Sequence, residues 1–330
     1  MGRWLARRLI VAFITFIGIT MMVFVLMRLA PVDPVDLLVL KLQTQGGGGG
    51  LTAADIEKLR IRLRQELGLS EPIFIQYLLW LREVISHGSL GYSFANGRAS
   101  LEVVFERVPP TFILMGTAFV IELVVGVPLG ILAALRRNRM TDYVVSAFGL
   151  SVIAVPTFFL ALASIYVFSV QLRVLPPGGM FDPTASHVDP VDVLRHLLLP
   201  ATILGLAGVG PILRYVRAAI LETMSKDYLI TARAKGLGAS QTVLRHAFPN
   251  ALLPLITVMG LQVGGLLAGA FVIEQVMTWP GLGKLALDAI RARDYPVIQA
   301  FAVVTAVMVL TGNVLADLAY AYADPRIRME

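Results

Sequence analysis

The apolar and polar positions of this chain fall into long blocks. A bilayer-crossing helix needs roughly 20 apolar residues in succession, and six blocks approach or exceed that. Leu9 to Leu29 carries one charge, Arg28. Val108 to Leu135 carries only Glu122, Tyr143 to Leu172 none, Ala251 to Met277 only Glu274, and Val297 to Tyr320 only Asp317. Leu197 to Leu213 is shorter and richer in glycine, and its pattern continues past Arg214 towards Glu222. These blocks predict an all-α membrane protein with six transmembrane helices. Arg28-Leu29-Ala30-Pro31 reads as the end of the first, with Pro31 and Pro34 stopping it. That run is too long for the apolar core of a signal peptide and no small-residue cleavage site follows it, so it is expected to be retained. Pro128, Pro156, Pro211 and Pro254 interrupt spans. They either kink helices around a pathway or are the ordinary prolines of membrane helices.

The longest polar block, residues 31–107, is expected outside the membrane. Gly46 to Gly50 is five glycines in a row and reads as a flexible linker. Thr52 to Leu67 reads as a helix, with Thr52 as N-cap and Gly68 as the stop. Ile56, Leu59, Leu63 and Leu67 recur along it at helical spacing. A second helix, Ile73 to Ile85, follows Pro72. This pair is too small for a large core of its own and is expected to pack on the membrane domain's outer face or on a partner.

Composition agrees. The chain is 57% hydrophobic and 15% charged, with mean hydropathy +0.76, against roughly a quarter charged in soluble domains. It has no cysteine, hence no disulfide framework or thiolate metal site. The pI of about 9.7 raises the question of nucleic acid, but the basic residues flank the apolar runs, as a membrane orientation signal does. With the N-terminus in the cytoplasm, segments 1–8, 136–142, 214–250 and 321–330 hold 14 basic and five acidic residues. The opposite segments hold 13 basic and 14 acidic. The expected topology is therefore N-in and C-in. The expected organisation is 1–30 (N-terminus and first helix), 31–107 (external segment), 108–320 (five-helix core with a cytoplasmic loop 223–250) and 321–330 (cytoplasmic C-terminus).

That loop is the most informative stretch. Asp227-Tyr228-Leu229-Ile230-Thr231-Ala232-Arg233-Ala234-Lys235-Gly236-Leu237-Gly238 reads as a short helix closed by a glycine turn. Ser240 caps a second short helix, and Pro249 marks the start of the fifth span. Ala232 and Gly236 share one helical face, rimmed by Arg233, Lys235 and Arg245. A small-faced, charge-rimmed hairpin suits a groove on a soluble partner. The alternative is that the small residues pack on the chain's own helices and the charges only orient the spans.

The stretch resembles the EAA loop of ABC-importer permeases, whose pattern is Glu-Ala-Ala, three residues, Gly, nine residues, Ile-x-Leu-Pro. Gly236 stands at the family glycine and Phe248-Pro249 at Leu-Pro. Ile230-Thr231-Ala232 replaces Glu-Ala-Ala, and His246 replaces Ile. Thr-Ala-Arg-Ala-Lys-Gly-Leu is similar to the form in the dipeptide, oligopeptide and nickel branch. Arg28-Leu29-Ala30-Pro31-Val32-Asp33-Pro34, Gly88-Ser89-Leu90-Gly91-Tyr92-Ser93-Phe94, Arg107-Val108-Pro109-Pro110-Thr111, Glu274 with Trp279-Pro280-Gly281-Leu282-Gly283, and Asp324-Pro325-Arg326-Ile327-Arg328 resemble further motifs of that branch. The long segment after the first helix is similar to its B-type subunit.

The resemblance implies a type I importer permease fold in a bacterial or archaeal cytoplasmic membrane. It implies as partners a homologous second permease, two ATPase subunits and an extracytoplasmic substrate-binding protein. ATP and Mg would be bound by the partners, with no cofactor, metal or catalytic residue in this chain. The cargo would be di- or oligopeptides, or else nickel chelates or oligosaccharides. The coupling residues would be Asp227, Tyr228, Ala232, Arg233, Ala234, Lys235, Gly236 and Leu237. Gly281-Leu282-Gly283-Lys284, the nearest approach to a phosphate-binding loop, lacks the first Gly and the final hydroxyl and reads as a turn. The four histidines, His87, His187, His196 and His246, form no visible catalytic or metal pattern.

Intramembrane charges are candidates for function. Glu274 and Asp317 lie near helix ends, where snorkelling or inter-subunit pairing is expected. Glu122 is deeper and faces either the permease pair or the pathway. Pro156, Gly264 and Gly265 are further pathway or interface candidates, and Gly264, Gly265 and Gly269 resemble a close-packing face. A secondary transporter or channel would share the spans but should show mid-membrane charges or broken helices in repeated halves. It would leave the loop unexplained. An intramembrane enzyme would need a nucleophile or metal cluster that the sequence does not display.

Overall fold

The computed structural model describes residues 2–29, 35, 36, 39, 53–66, 69–185, 187, 189–227, 229, 237–243, 245, 248 and 264–323. Among these the ordered elements are helical, and the extended pairing is a single bridge between Tyr92 and Ala99. Helices are what apolar runs must form in lipid, where each backbone N–H and C=O needs a partner within its own segment. The longer elements are α1 (Gly2–Arg28), α2 (Ala53–Glu66), α3 (Ile73–His87), α4 (Ser100–Phe105), α5 (Val108–Leu135), α6 (Met140–Ala154) and α7 (Thr157–Ser164). They continue with α8 (Pro190–Thr223), α9 (Gly264–Val276), α10 (Leu282–Ala292) and α11 (Tyr295–Ala323). The six apolar runs correspond to α1, α5, α6 with α7, α8, α9 and α11. For the fifth run, residues 251–263 lie outside the described residues, as do the Gly46–Gly50 segment and the C-terminal motif from Asp324.

Local chemistry sets several boundaries. Pro109 and Pro110 occupy the first turn of α5, where a missing N–H costs nothing. The α8 helix starts seven residues before its apolar run. The Asp189 side chain accepts from the Val191 N–H at 3.0 Å, and Pro190 follows at the first helical position. At the end of α3, Gly88 adopts φ 62° and donates its N–H to the Val84 carbonyl, the left-handed stop that glycine takes without steric cost.

The third run is not one straight helix. It breaks at Val155-Pro156, and its two halves meet at 94°. Pro156 has no N–H to continue the α6 ladder and forces the preceding residue out of the helical region, so Val155 is extended. The second half passes from α7 into a π-helical stretch, Ile165–Gln171.

The chain forms two compact units, residues 1–4, 107–285 and 311–330, and residues 5–106 and 286–310. In the first, α5 and α8 are the central pair. Four buried residues of α5 recur every fourth position: Ala118, Glu122, Gly126 and Gly130. A Cβ added to Gly205 would lie 2.7 Å from the Ala118 carbonyl, and one on Gly130 2.8 Å from the Leu213 carbonyl. The two helices are therefore parallel, as helices separated by one return crossing must be. Small residues allow this approach, which in lipid gains contact by packing rather than by water release. Gly149 of α6 meets Gly210 of α8 in the same manner. The outward residues of these helices, including Val120, Val124, Tyr143 and Val144, are large, apolar and exposed, as a lipid-facing surface requires.

In the second unit, Phe24 of α1 packs on Tyr77 and Trp80 of α3, and the Thr20 and Tyr77 hydroxyls are 3.0 Å apart. Asp294, between α10 and α11, is buried. Its carboxylate accepts from the Ser93 hydroxyl and from the Phe94 and Ala95 N–H groups, at 2.5, 2.9 and 3.0 Å. The Gly88–Phe94 motif thus closes a turn around a carboxylate from 200 residues further along the chain.

Candidate functional site

At the basic end of the first unit, α8 ends at Thr223 and the chain turns into the loop. Met224, Ser225 and Lys226 donate N–H groups to Ile220, Glu222 and Thr223. Leu229 is fully buried, while Asp227 is exposed. The chain returns at Thr242, whose N–H and hydroxyl both donate to the Gly238 carbonyl at 2.9 and 3.0 Å. Val243, 1% exposed, packs in one cluster with Ala134, Ile212, Val216 and Ile220, and Phe248 leans on the same cluster. Both roots of the loop are therefore seated on the ends of α5 and α8. Of the loop residues singled out in the sequence, Asp227 and half-buried Leu237 are described. Tyr228, Ala232, Arg233, Ala234, Lys235 and Gly236 lie outside the described residues.

The roots are tied to α6 as well. Arg217 of α8 donates from Nε and Nη2 to the two carboxylate oxygens of Asp142, each at 2.7 Å. The Asp142 carboxylate also accepts from the Asn138 N–H at 3.0 Å. Asn138 has φ 59°, so the tight turn between α5 and α6 is held by the first turn of α6. This planar, two-pronged pairing fixes orientation as well as distance.

Glu274 sits at the opposite end of the unit, and the snorkelling expected of it is wrong. It is 0% exposed. Its carboxylate accepts from the Thr111 hydroxyl at 2.6 Å, the Gly283 N–H at 2.6 Å and the Lys284 N–H at 3.3 Å. The Thr111 oxygen in turn accepts from the Leu282 N–H at 2.8 Å. Gly281-Leu282-Gly283-Lys284 is also not a turn, since α10 begins at Leu282. A helix start presents unpaired N–H groups that suit an anion, and here the anion is the chain's own Glu274. A Cβ at Gly281 or Gly283 would overlap that carboxylate or the Phe271 backbone. Trp279, fully buried, completes the clamp by donating Nε1–H to the Pro110 carbonyl at 2.9 Å.

Glu122 is buried between α5 and α8, where a Cβ at Gly208 would collide with its carboxylate. Pro156 is exposed at the break between α6 and α7. In α9, Gly265 is exposed and a Cβ at Gly264 would meet nothing within 4 Å, whereas one at Gly269 would press on Leu204. The three glycines thus do not share one packed face within this chain.

Residues 126–329 match the family described as binding-protein-dependent transport system inner membrane component, and residues 1–115 match the N-terminal family of the same membrane component. The chain belongs to this family. It is a permease of the ABC-importer type. It is 39% identical over its whole length to a putative peptide permease protein of Brucella ovis, all of which it covers. It is 36% identical to the oligopeptide transport system permease protein AppB of Bacillus subtilis and 35% to the dipeptide transport system permease protein DppB of Escherichia coli, with 99% of each chain covered in both cases. Among solved structures it resembles the MetNI methionine ABC transporter in an inward-facing form. The TM-score is 0.54 and the identity 19%, over 67% of this chain and 96% of that one. That likeness establishes the fold.

Several residues that organise this permease were not singled out from sequence. From sequence, Asp142 and Arg217 are only two of the charges in the segments that flank the apolar runs. Thr111 stands in the Arg107–Thr111 motif, and nothing in that motif marks it as the partner of Glu274. The signal that could have raised Thr111 is a hydroxyl one residue after Pro-Pro at a helix start, opposite a run holding one buried acid.

Proposed function

We propose that this permease carries di- or oligopeptides across the cytoplasmic membrane, with N- and C-termini inside, as one of two homologous permeases served by two ATPase subunits and an external binding protein. The observation that carries this reading is the full-length similarity to peptide permeases of three bacteria. The excess of basic residues in the segments assigned to the cytoplasm supports the orientation. The same reading assigns residues 31–107 to the external side and 223–250 to the side of the ATPases.

The loop is the coupling element. Its small face, Ala232 and Gly236, would seat in a groove of the ATPase, with Asp227, Arg233 and Lys235 as ionic contacts. Its roots are apolar and buried against α5 and α8, and Arg217 ties α8 to α6. A push on the loop is therefore delivered to three helices together rather than absorbed in a slack connection. ATP binding drives transport to the extent that it favours one arrangement of these helices over the other, and coupling is that difference in free energy.

The test is Gly236→Trp in the assembled transporter in proteoliposomes, scored by ATP-dependent uptake of a labelled dipeptide and by peptide-stimulated ATP hydrolysis. The variant is expected to insert and fold normally and to lose both activities. Wild-type stimulation in the variant would remove the loop from the coupling role. Uptake by this chain alone, without an ATPase, would overturn the importer reading.

A further inference from the structure

The helix α3 lies in the segment expected to be external, yet its outward side is apolar. Gln76, Tyr77, Trp80, Leu81 and Val84 form its inward stripe, from which Tyr77 and Trp80 meet Phe24 and Tyr77 meets Thr20 of α1. On the opposite side Phe74, Ile75, Leu78 and Leu79 are 59%, 41%, 46% and 45% exposed. The polar tips are turned inwards: the Tyr77 hydroxyl meets Thr20, the Trp80 indole nitrogen is buried, and the Gln76 amide donates to the Leu69 and Glu71 carbonyls. A helix facing water would present these groups outwards and its leucines inwards.

Depth can be read from α1. Arg28 marks the end of the span, and its guanidinium lies over the Phe24 ring at 5.0 Å. At 1.5 Å per residue, Phe24 is about 6 Å and Thr20 about 12 Å along the helix from Arg28, towards the bilayer centre. Tyr77 touches both. Met22, Leu26 and Leu29 of α1 are likewise large, apolar and exposed. Polar residues bracket it, with Glu71 before and Arg82, Glu83 and Ser86 after, all exposed.

We propose that α3 is an interfacial membrane helix whose Phe74, Ile75, Leu78 and Leu79 insert among the lipid acyl chains beside the C-terminal end of α1. The occupant of this face is lipid and not a protein. An apolar helix face typically sinks ~5–10 Å into the headgroup–acyl boundary, and Tyr77 meets Phe24 about 6 Å from Arg28. The inserted face anchors the external segment to the bilayer through residues 73–87.

The cysteine-free sequence allows a direct measurement. Phe74→Cys, Leu78→Cys and Arg82→Cys are each spin-labelled in the full chain in lipid nanodiscs, alone and in the assembled transporter. Collision with dissolved oxygen is compared with collision with a water-soluble nickel chelate. Oxygen is expected to exceed nickel at 74 and 78 in both preparations, with the balance reversed at 82. Nickel access at 74 and 78 would place the face in water, and exclusion of both reagents would place it against protein. Either result overturns the proposal. The readout is lipid contact, so it is independent of what the permease carries.

Discussion

Replacing Glu274 with alanine tests whether its carboxylate holds one end of the permease together. The substitution strips the acceptor from three donors, two of them buried: the Thr111 hydroxyl and the Gly283 N–H. Each buried donor left without a partner costs about 1–3 kcal/mol. The Lys284 bond is longer and partly exposed, so it adds little. Against this, removing the charge relieves some of the desolvation cost of a buried carboxylate. The net expectation is about 3 kcal/mol lost, which at ~2–4 °C per kcal/mol corresponds to a fall of about 6–12 °C in unfolding midpoint. Glu274→Gln separates hydrogen bonding from charge. Its carbonyl can still accept from the Gly283 and Lys284 N–H groups and its amide can donate to the Thr111 oxygen, so it should lose only about 1 kcal/mol. The assay is the midpoint of monodisperse protein remaining after heating, read by gel filtration of detergent-solubilised samples. An alanine variant within about 2 °C of wild type, or a glutamine variant as damaged as the alanine one, would refute the clamp.

Gly208→Val should wedge α5 and α8 apart by driving a side chain into the Glu122 carboxylate, at a cost of about 1–3 kcal/mol or more. Its midpoint should fall well below that of Gly264→Val, where there is open space within the chain. Equal midpoints would contradict the parallel seam. A double-mutant cycle on Asp142→Asn and Arg217→Gln should return a coupling energy of about 1.5–3 kcal/mol, as for hydrogen bonds between charged groups, with peptide-stimulated ATPase falling in either single variant. Additive effects would mean that the pair does not tie α6 to α8.

Much of the fold is legible without a structure because lipid leaves a chain few options. A nearly uncharged apolar run of 20 residues or more must become helical in lipid, so the end points of α5 fall where the run begins and ends. Boundaries set by polar chemistry were harder. The start of α8 depends on Asp189 and Pro190, which lie outside the apolar run. The amphipathic α10 was hidden because Gly281 and Gly283, read as turn residues, are glycines for lack of room beside Glu274.

The candidate site divides the same way. The loop proposed for coupling could be found from sequence, since its small residues, glycine and proline recur at a spacing that survives without knowledge of neighbours. The 94° break at Pro156 was half visible: proline marks a place where a helix can break, while only packing decides whether it kinks, breaks or continues. In α8, Pro200 and Pro211 lie inside an unbroken helix.

The sequence by itself determined the solvent of this protein, the number of apolar runs, the segments that carry the basic residues and the loop that resembles the family's. These depend on composition and on spacing along the chain. The tertiary structure decided what each buried charge does. Glu274 closes a helix start through Thr111 and two amides, Asp142 grips Arg217, 75 residues away, and Asp294 closes a turn at Ser93. A carboxylate in an apolar run must find donors, and chain spacing cannot say which distant donors the fold will bring within 3 Å of it.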